Sequence, residues 1–231
     1  MRVATWNVRH GRPRRGFTSN RRLASAVADL HVDVLAVQEV ERRVIRSWFA
    51  DQPELISVAA DADTFHFAPA RRHLLLTGED GVALCVRGEI DRGRVLDLPR
   101  ETAAQRRVAI VAGIKAGDDE ATVVATHLHN DASVAILQLG ALLEAITDEP
   151  RPRLLLGDLN LRSEDIAELL GSAGFALVDA AATQPAWAPV QRIDHVAVDG
   201  LVADRSSVPA VEVSDHRPVL VEVRPASSPS P

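Results

Sequence analysis

The chain has 231 residues, 46% of them hydrophobic, which is enough to bury a sizeable core and excludes wholesale disorder. Its formal net charge of -6 argues against a protein that grips nucleic acid through a basic surface alone, but leaves room for an acidic pocket neutralised by a cation. The single cysteine, Cys85, excludes an internal disulfide, and no apolar stretch approaches the roughly 20 residues that span a membrane.

Arg2 to Val8 reads as a strand that runs into a polar segment, Asn7 to Arg15. TSNRRLASAVADL then predicts a helix capped by Thr18 or Ser19, with Leu23, Val27 and Leu30 on its apolar face. VDVLAVQEV comes next as a strand buried on both faces until it meets Gln38 and Glu39. This β-α-β unit delivers Asn7 and Glu39 to the same edge of one sheet. Between Trp48 and Arg72 the pattern supports a short helix near Gln52 to Ala60 and a strand near Thr64 to Phe67, with Trp6 and Trp48 assigned to the core.

GVALCVR, RGRVLDL, QRRVAIVAGI and ATVVATHLH are short β-rich runs spaced like consecutive strands, and Cys85 in the first of them reads as a small buried hydrophobe. DASVAILQLGALLEAIT is an amphipathic helix with Asp131 or Ser133 as cap and Ile136, Leu139, Leu143 and Ile146 inward. RLLLG is the next strand, succeeded by a capped helix from Ser163 to Leu170 that Gly171 and Gly174 close off. RIDHVAV, AVEV and RPVLVEV read as the last strands. The expected organisation is one domain over 1–224 with a disordered tail over 225–231. The element order implies an α/β (α+β) fold of two packed sheets with helices outside. The N-terminus lacks the apolar region of a secretory leader, so a cytoplasmic protein is expected.

The polar residues sit at strand ends: Asn7, Glu39, His127, Asp158 with Asn160, Asp194, and Asp215 with His216. RLLLGDLN poses the question most directly. Three leucines lead through one glycine into a carboxylate and an amide two positions apart, which in a strand face the same way. Alone, Asn7 or Asp158 reads as a turn or capping residue and Asp215-His216 as a loop; together they read as a site for a metal or a phosphate.

TWNVRHG, VLAVQEV, THLHN, LLLGDLN, RIDHV and SDHRPV, in that order across residues 4 to 219, resemble the endonuclease/exonuclease/phosphatase superfamily. The resemblance implies a four-layered α/β sandwich of mostly antiparallel, mixed sheets flanked by helices. It also implies Mg2+-dependent hydrolysis of a phosphate ester, with Mn2+ as a possible substitute. A cation is needed there because charge builds on the transferring phosphoryl oxygens. By the family pattern Glu39 is the principal ligand with Asn7 beside it, and Asp215 lies near the metal. Asp158 orients or deprotonates the attacking water, and Asn160 holds Asp158 and the phosphate. His216 donates to a phosphate oxygen with Asp194 behind it, and His127 binds phosphate. Asn130 is similar to a phosphate-contacting asparagine of some nucleases.

Abasic-site relatives carry a tyrosine in place of His127, and this chain has no tyrosine, which counts against that branch. His195 stands where the family usually has an aromatic and reads as structural, facing away from Asp194. Either Arg106 or Arg107 reaches substrate phosphate, or both line a solvated sheet edge. Arg9, His10, Arg12, Arg14 and Arg15 form either a solvated loop or a contact for a phosphate-rich substrate. Trp187 either stacks on a base at the rim or covers the sandwich edge.

The expected substrate is a phosphate ester: nucleic acid, nucleotide or a small phosphodiester. A lipid head group is disfavoured because no exposed apolar loop is evident. Phosphomonoester hydrolysis and a retired binding or scaffold domain are the alternatives, and no obligate protein partner is evident. A coincidence of unrelated turns would leave Asn7, Glu39, Asp158 and His216 far apart in space.

Overall fold

A computed structural model of the chain describes residues 1–73, 78–100 and 105–226. Alternation along the first strand sets the layering. In β1 (Arg2–Asn7), Val3 points into an apolar layer shared with a second sheet, while Ala4 and Trp6 point the other way under helices. The helices over that outer face are α1 (Asn20–Ala28), capped by Ser19, and α2 (Gln52–Ala59), capped by Asp51. Beside β1 lie β2 (Val34–Arg42), β3 (Thr64–His73), β4 (Gly78–Val86), β11 (Leu201–Ser207) and β12 (Val219–Pro225), in the order β11-β12-β1-β2-β4-β3.

The second sheet has the order β5-β6-β7-β8-β10-β9. Its strands are β5 (Glu89–Asp97), β6 (Val108–Ala116), β7 (Asp119–His127), β8 (Arg153–Asp158), β9 (Ala176–Leu177) and β10 (Asp194–Asp199). Leu154 and Leu156 enter the layer between the sheets, whereas Leu155 enters a separate cluster beneath α3 (Ala132–Ala145) and α4 (Ser163–Ser172). Strand β8 is thus buried on both faces, which is why its sequence is a continuous apolar run. The result is the expected four-layered sandwich, helix–sheet–sheet–helix. Among the described residues the pairs β1–β2 and β7–β8 are parallel, and the other strand pairs are antiparallel. The parallel pairs are bridged by α1 and α3, so both aim their C-terminal ends at one edge of the sandwich.

Cys85 is buried in β4, where burial pushes its thiol up to about 12. Four expectations are corrected. Ile136 is 42% exposed; the buried stripe of α3 runs through Ala135, Leu139, Leu142 and Ile146, and Ile136 lies off it. Trp48 is 72% exposed. AVEV (210–213) is irregular, and the edge strand is instead β11, which an alternating half-exposed pattern had hidden. Helix α4 extends to Ser172 through Gly171, and its N-cap position, Arg162, makes no capping bond. Of the expected tail, Pro225 ends β12 and the Ala226 N–H donates to Gly200 O (3.2 Å); residues 227–231 lie outside the described residues.

Candidate active site

Strand ends from both sheets converge where the two parallel pairs stop. Asn7 closes β1 and is 2% exposed. Its Nδ2 donates to Glu39 Oε1 (3.1 Å) and to Asp158 Oδ2 (2.9 Å), so one amide ties the two sheets together. Glu39 sits on a β-bulge: Gln38 and Val40 pair with Val82 and Gly81, leaving Glu39 as the extra residue, with φ +56°. A bulge turns a side chain out of its alternating register, and a non-glycine left-handed residue is uncommon enough to point to a functional constraint.

Asp158 ends β8 at 1% exposure, opposite Asp194 of β10. Gly157 precedes it because a Cβ there would lie 2.4 Å from Thr126 O of β7. The chain then turns through Asn160 at φ +52°. The Asn160 N–H donates to Asp158 Oδ1 (3.0 Å) and its Nδ2 to Leu128 O (3.0 Å). GDLN is therefore both a turn and a clamp on its own carboxylate.

On the other flank of Asp158, His216 Nδ1 donates to Asp194 Oδ2 (2.8 Å) and lies 3.9 Å from Asp158 Oδ2. Burial alone would lower the His216 pKa; the charge and hydrogen bond of Asp194, then Asp158 and Asp215, hold it up at about 10. Asp194 thus both orients the imidazole through Nδ1 and favours its charged form. Burial, then the charge of Asp194, raises the Asp158 carboxyl to about 7, against the pull of His216 and the Asn7 hydrogen bond. Arg107 Nη1 donates to His127 Nδ1 (2.9 Å); a guanidinium cannot accept, so that ring nitrogen is the acceptor and the neutral tautomer carries its proton on Nε2, 3.5 Å from Asp158 Oδ2. Burial, then Arg107, pushes the His127 pKa well down, in agreement with that tautomer.

Glu39, Asn7 and Asp158 offer carboxylate and amide oxygens, the donor set of a hard divalent cation. Glu39 is half-buried, makes one side-chain hydrogen bond, and feels the Arg107 charge without forming an ion pair among the described residues, which fits a metal ligand. Asp158, Asp194 and His216 also bring ligand atoms within 4.8 Å of one another. We read that trio as a charge pair rather than a metal cage, since the His216 Nδ1 proton is already committed to Asp194.

Of the remaining expected residues, Asp215 pairs with Arg9 (Nη1 to Oδ2, 3.2 Å), and its charge acts on His216. Arg107 is the arginine that enters the cluster, while Arg106 turns to Asp97 and to Pro69 O. Asn130 is exposed and bonded to none of the cluster. His195 is buried with Nε2 at Leu161 O (2.8 Å), a structural role. Trp187 is 38% exposed beneath the Arg14 guanidinium, 4.8 Å from its ring centroid. His10 is buried, unlike its arginine neighbours, and burial, then Arg46, takes its pKa down to about 3. The expectation of no exposed apolar loop also fails, since Ile45, Trp48 and Phe49 are all more than half exposed.

Sequence reasoning missed three supports. Thr183 Oγ1 donates to Asp194 Oδ2, the Gln184 amide lies 3.0 Å from His216 Nε2, and Ser214 Oγ donates to Asn7 O (2.7 Å). Thr183 and Gln184 sit in a loop without periodicity, so only proximity in space reveals them.

The chain belongs to the Endonuclease/Exonuclease/phosphatase family, whose model matches residues 4–216. Two UPF0294 proteins of Vibrio vulnificus are 31% identical over 96 residues, 36% of this chain and 31% of theirs, so the match spans about a third of the length of these curated relatives. An endonuclease/exonuclease/phosphatase from Beutenbergia cavernae superposes with a TM-score of 0.80 at 21% identity, covering 98% of this chain and 72% of that one. D. rerio TDP2, complexed with a single strand DNA product, gives 0.74 at 17% identity, covering 97% and 98%. Both structural likenesses concern the fold.

Proposed function

We propose that the protein is a divalent-cation-dependent phosphodiesterase, with Mg2+ as the resident ion and Mn2+ as a substitute. The observation that carries this reading is the position of Asp158, buried between the Asn7–Glu39 pair and the His216–Asp194 ion pair. Glu39, with Asn7 beside it, would hold the cation, which when bound offsets negative charge on the phosphoryl oxygens.

Asp158 takes the proton of the attacking water. Its two hydrogen bonds, from Asn7 and from the Asn160 N–H, fix the direction in which it does so. His216, charged and braced by Asp194, donates to a non-bridging oxygen of the substrate. His127 donates from Nε2, backed by Arg107. Asn160 and Ser214 keep this frame rigid. The DNA complex of the TDP2 relative supports nucleic acid among the candidate esters.

The test is hydrolysis of bis(p-nitrophenyl) phosphate and p-nitrophenyl phosphate, with and without Mg2+, by the wild type and by His216→Gln. Diester turnover that needs Mg2+ and falls roughly 10²-fold or more in the variant is expected. Preference for the monoester would replace this reading with a phosphatase. Absence of both turnover and divalent-cation binding would end it in favour of a binding domain.

A further inference from the structure

The loops beyond the two metal-side strands have the same composition. After β1 the chain reads Arg9-His10-Gly11-Arg12-Pro13-Arg14-Arg15-Gly16-Phe17, and at the end of β2 it reads Arg42-Arg43-Val44-Ile45-Arg46-Ser47-Trp48-Phe49. In both, a run of arginines ends in exposed aromatics: Phe17 in the first, Trp48 and Phe49 in the second. Phe17 is 87% exposed, Trp48 72% and Phe49 53%. The chain has only five Phe and three Trp, and with Trp187 four of these eight rings are exposed around one edge of the sandwich.

Burial therefore does not explain these rings, and the backbone argues further against a folding role. Trp48 has φ +59° and Phe49 φ +57°. Trp48 closes the short 3-10 turn Ile45–Ser47 in the left-handed position, where glycine is usual. Two bulky residues in succession carry backbone strain while their side chains face solvent.

The two loops are bound into one surface. Asn20 Nδ2 donates to Ser47 O (2.9 Å), and Gln52 Nε2 donates to His10 O (2.9 Å). The surface continues to Trp187 through the Arg14 stack. Arg14, Arg15, Arg22 and Trp187, with Glu212 as the one carboxylate, line a groove of about 580 Å³ that reaches Ser214, next to Asp215 and His216. Arg12, Arg15, Arg22 and Arg43 form no ion pair among the described residues, so this edge is cationic although the chain as a whole is acidic.

Resting on the phosphodiesterase reading, we infer that this arginine–aromatic rim is a platform for unpaired nucleic-acid strands, and that the substrate is a single-stranded polynucleotide. Each nucleotide carries one flat ring and one phosphate, and a surface that sets exposed rings beside guanidinium groups offers a partner for each. A membrane-binding surface segregates its apolar residues from its cations instead. The groove leads a strand bound on the rim toward Asp158, where the scissile phosphate is taken.

The test is fluorescence anisotropy with a labelled, cleavage-resistant phosphorothioate oligothymidylate in Mg2+. Three comparisons accompany it: an abasic strand of equal length, a duplex, and phosphatidylglycerol vesicles. The expected result is about tenfold or more tighter binding of the base-bearing strand than of the abasic one. A similar loss is expected in the double variant Trp48→Leu/Phe49→Leu, which keeps apolar bulk and removes the flat rings. Equal binding of both strands, or a double variant as good as wild type, overturns the platform. Tighter binding to the duplex does so too, as does binding to the vesicles alone. Wild-type turnover of bis(p-nitrophenyl) phosphate on the same sample separates the two readings. Turnover without base selectivity removes the platform alone, and base selectivity without turnover removes the catalytic reading alone.

Discussion

The parallel pairs β1–β2 and β7–β8 hold equivalent places in the two sheets, yet the segments beyond their ends differ. After β7 and β8 the chain dives inward: Leu128, Leu159 and Leu161 are at most 2% exposed and join the cluster under α3 and α4. After β1 and β2 it emerges as arginines and aromatics, and the strained residues Arg9, His10, Glu39, Arg43, Trp48 and Phe49 concentrate there. A carboxylate that must hold a water in one direction benefits from packed surroundings. Residues that meet a large ligand must stay accessible. One sheet thus supplies rigidity and the other access, and each contributes half of the chemistry.

That division can be broken most sharply at Asp158. Replacement by Asn should lower diester turnover by roughly 10³-fold, as loss of a general base does. The same change should raise stability at alkaline pH. A carboxyl raised from 3.8 to about 7 binds its proton more tightly in the folded than in the unfolded chain, so the wild type loses stability as pH rises through that window. Urea midpoints at pH 8 should therefore be higher for Asp158→Asn; a lower midpoint would mean that Asp158 holds the fold together as well as the water.

The next contrast is between the loops themselves. Leu159→Ala, beneath α4, should cost about 2–5 kcal/mol in urea unfolding. Phe17→Ala, at the rim, should stay within about 0.5 kcal/mol. Equal costs would erase the distinction between a rigid and an open half. A further effect appears only in acid and concerns His195, whose pKa burial depresses from 6.5 to about 4. The unfolded chain binds the proton that the folded chain refuses, so its contribution is complete above pH 6.5 and lost as pH falls toward 4. Wild type should lose on the order of 2 kcal/mol at pH 4.5 that His195→Asn does not lose.

Much of this was legible in the residues. VDVLAVQEV announced a strand buried on both faces, and the polar tips of β1, β2, β7, β8 and β10 announced a shared site, because strand period and polarity are local properties. The positions of Arg107, Thr183 and Gln184 depend on which strands are neighbours, which no single stretch encodes. Trp48 was misassigned for a related reason. An indole reads as core by its size, and only the left-handed turn beneath it reveals that it points outward. β11 was missed because an edge strand with one wet face lacks the apolar run that marks its central neighbours.

The burial of Cys85 has a practical consequence. A thiol held at about 12 and shielded inside β4 is inert to alkylating probes at neutral pH, so the folded chain behaves chemically as though it had no cysteine. One engineered cysteine on the outer loops would then be the sole attachment point for a spin label or dye. The movement of that edge during catalysis could be tracked by spectroscopy without altering the native interior.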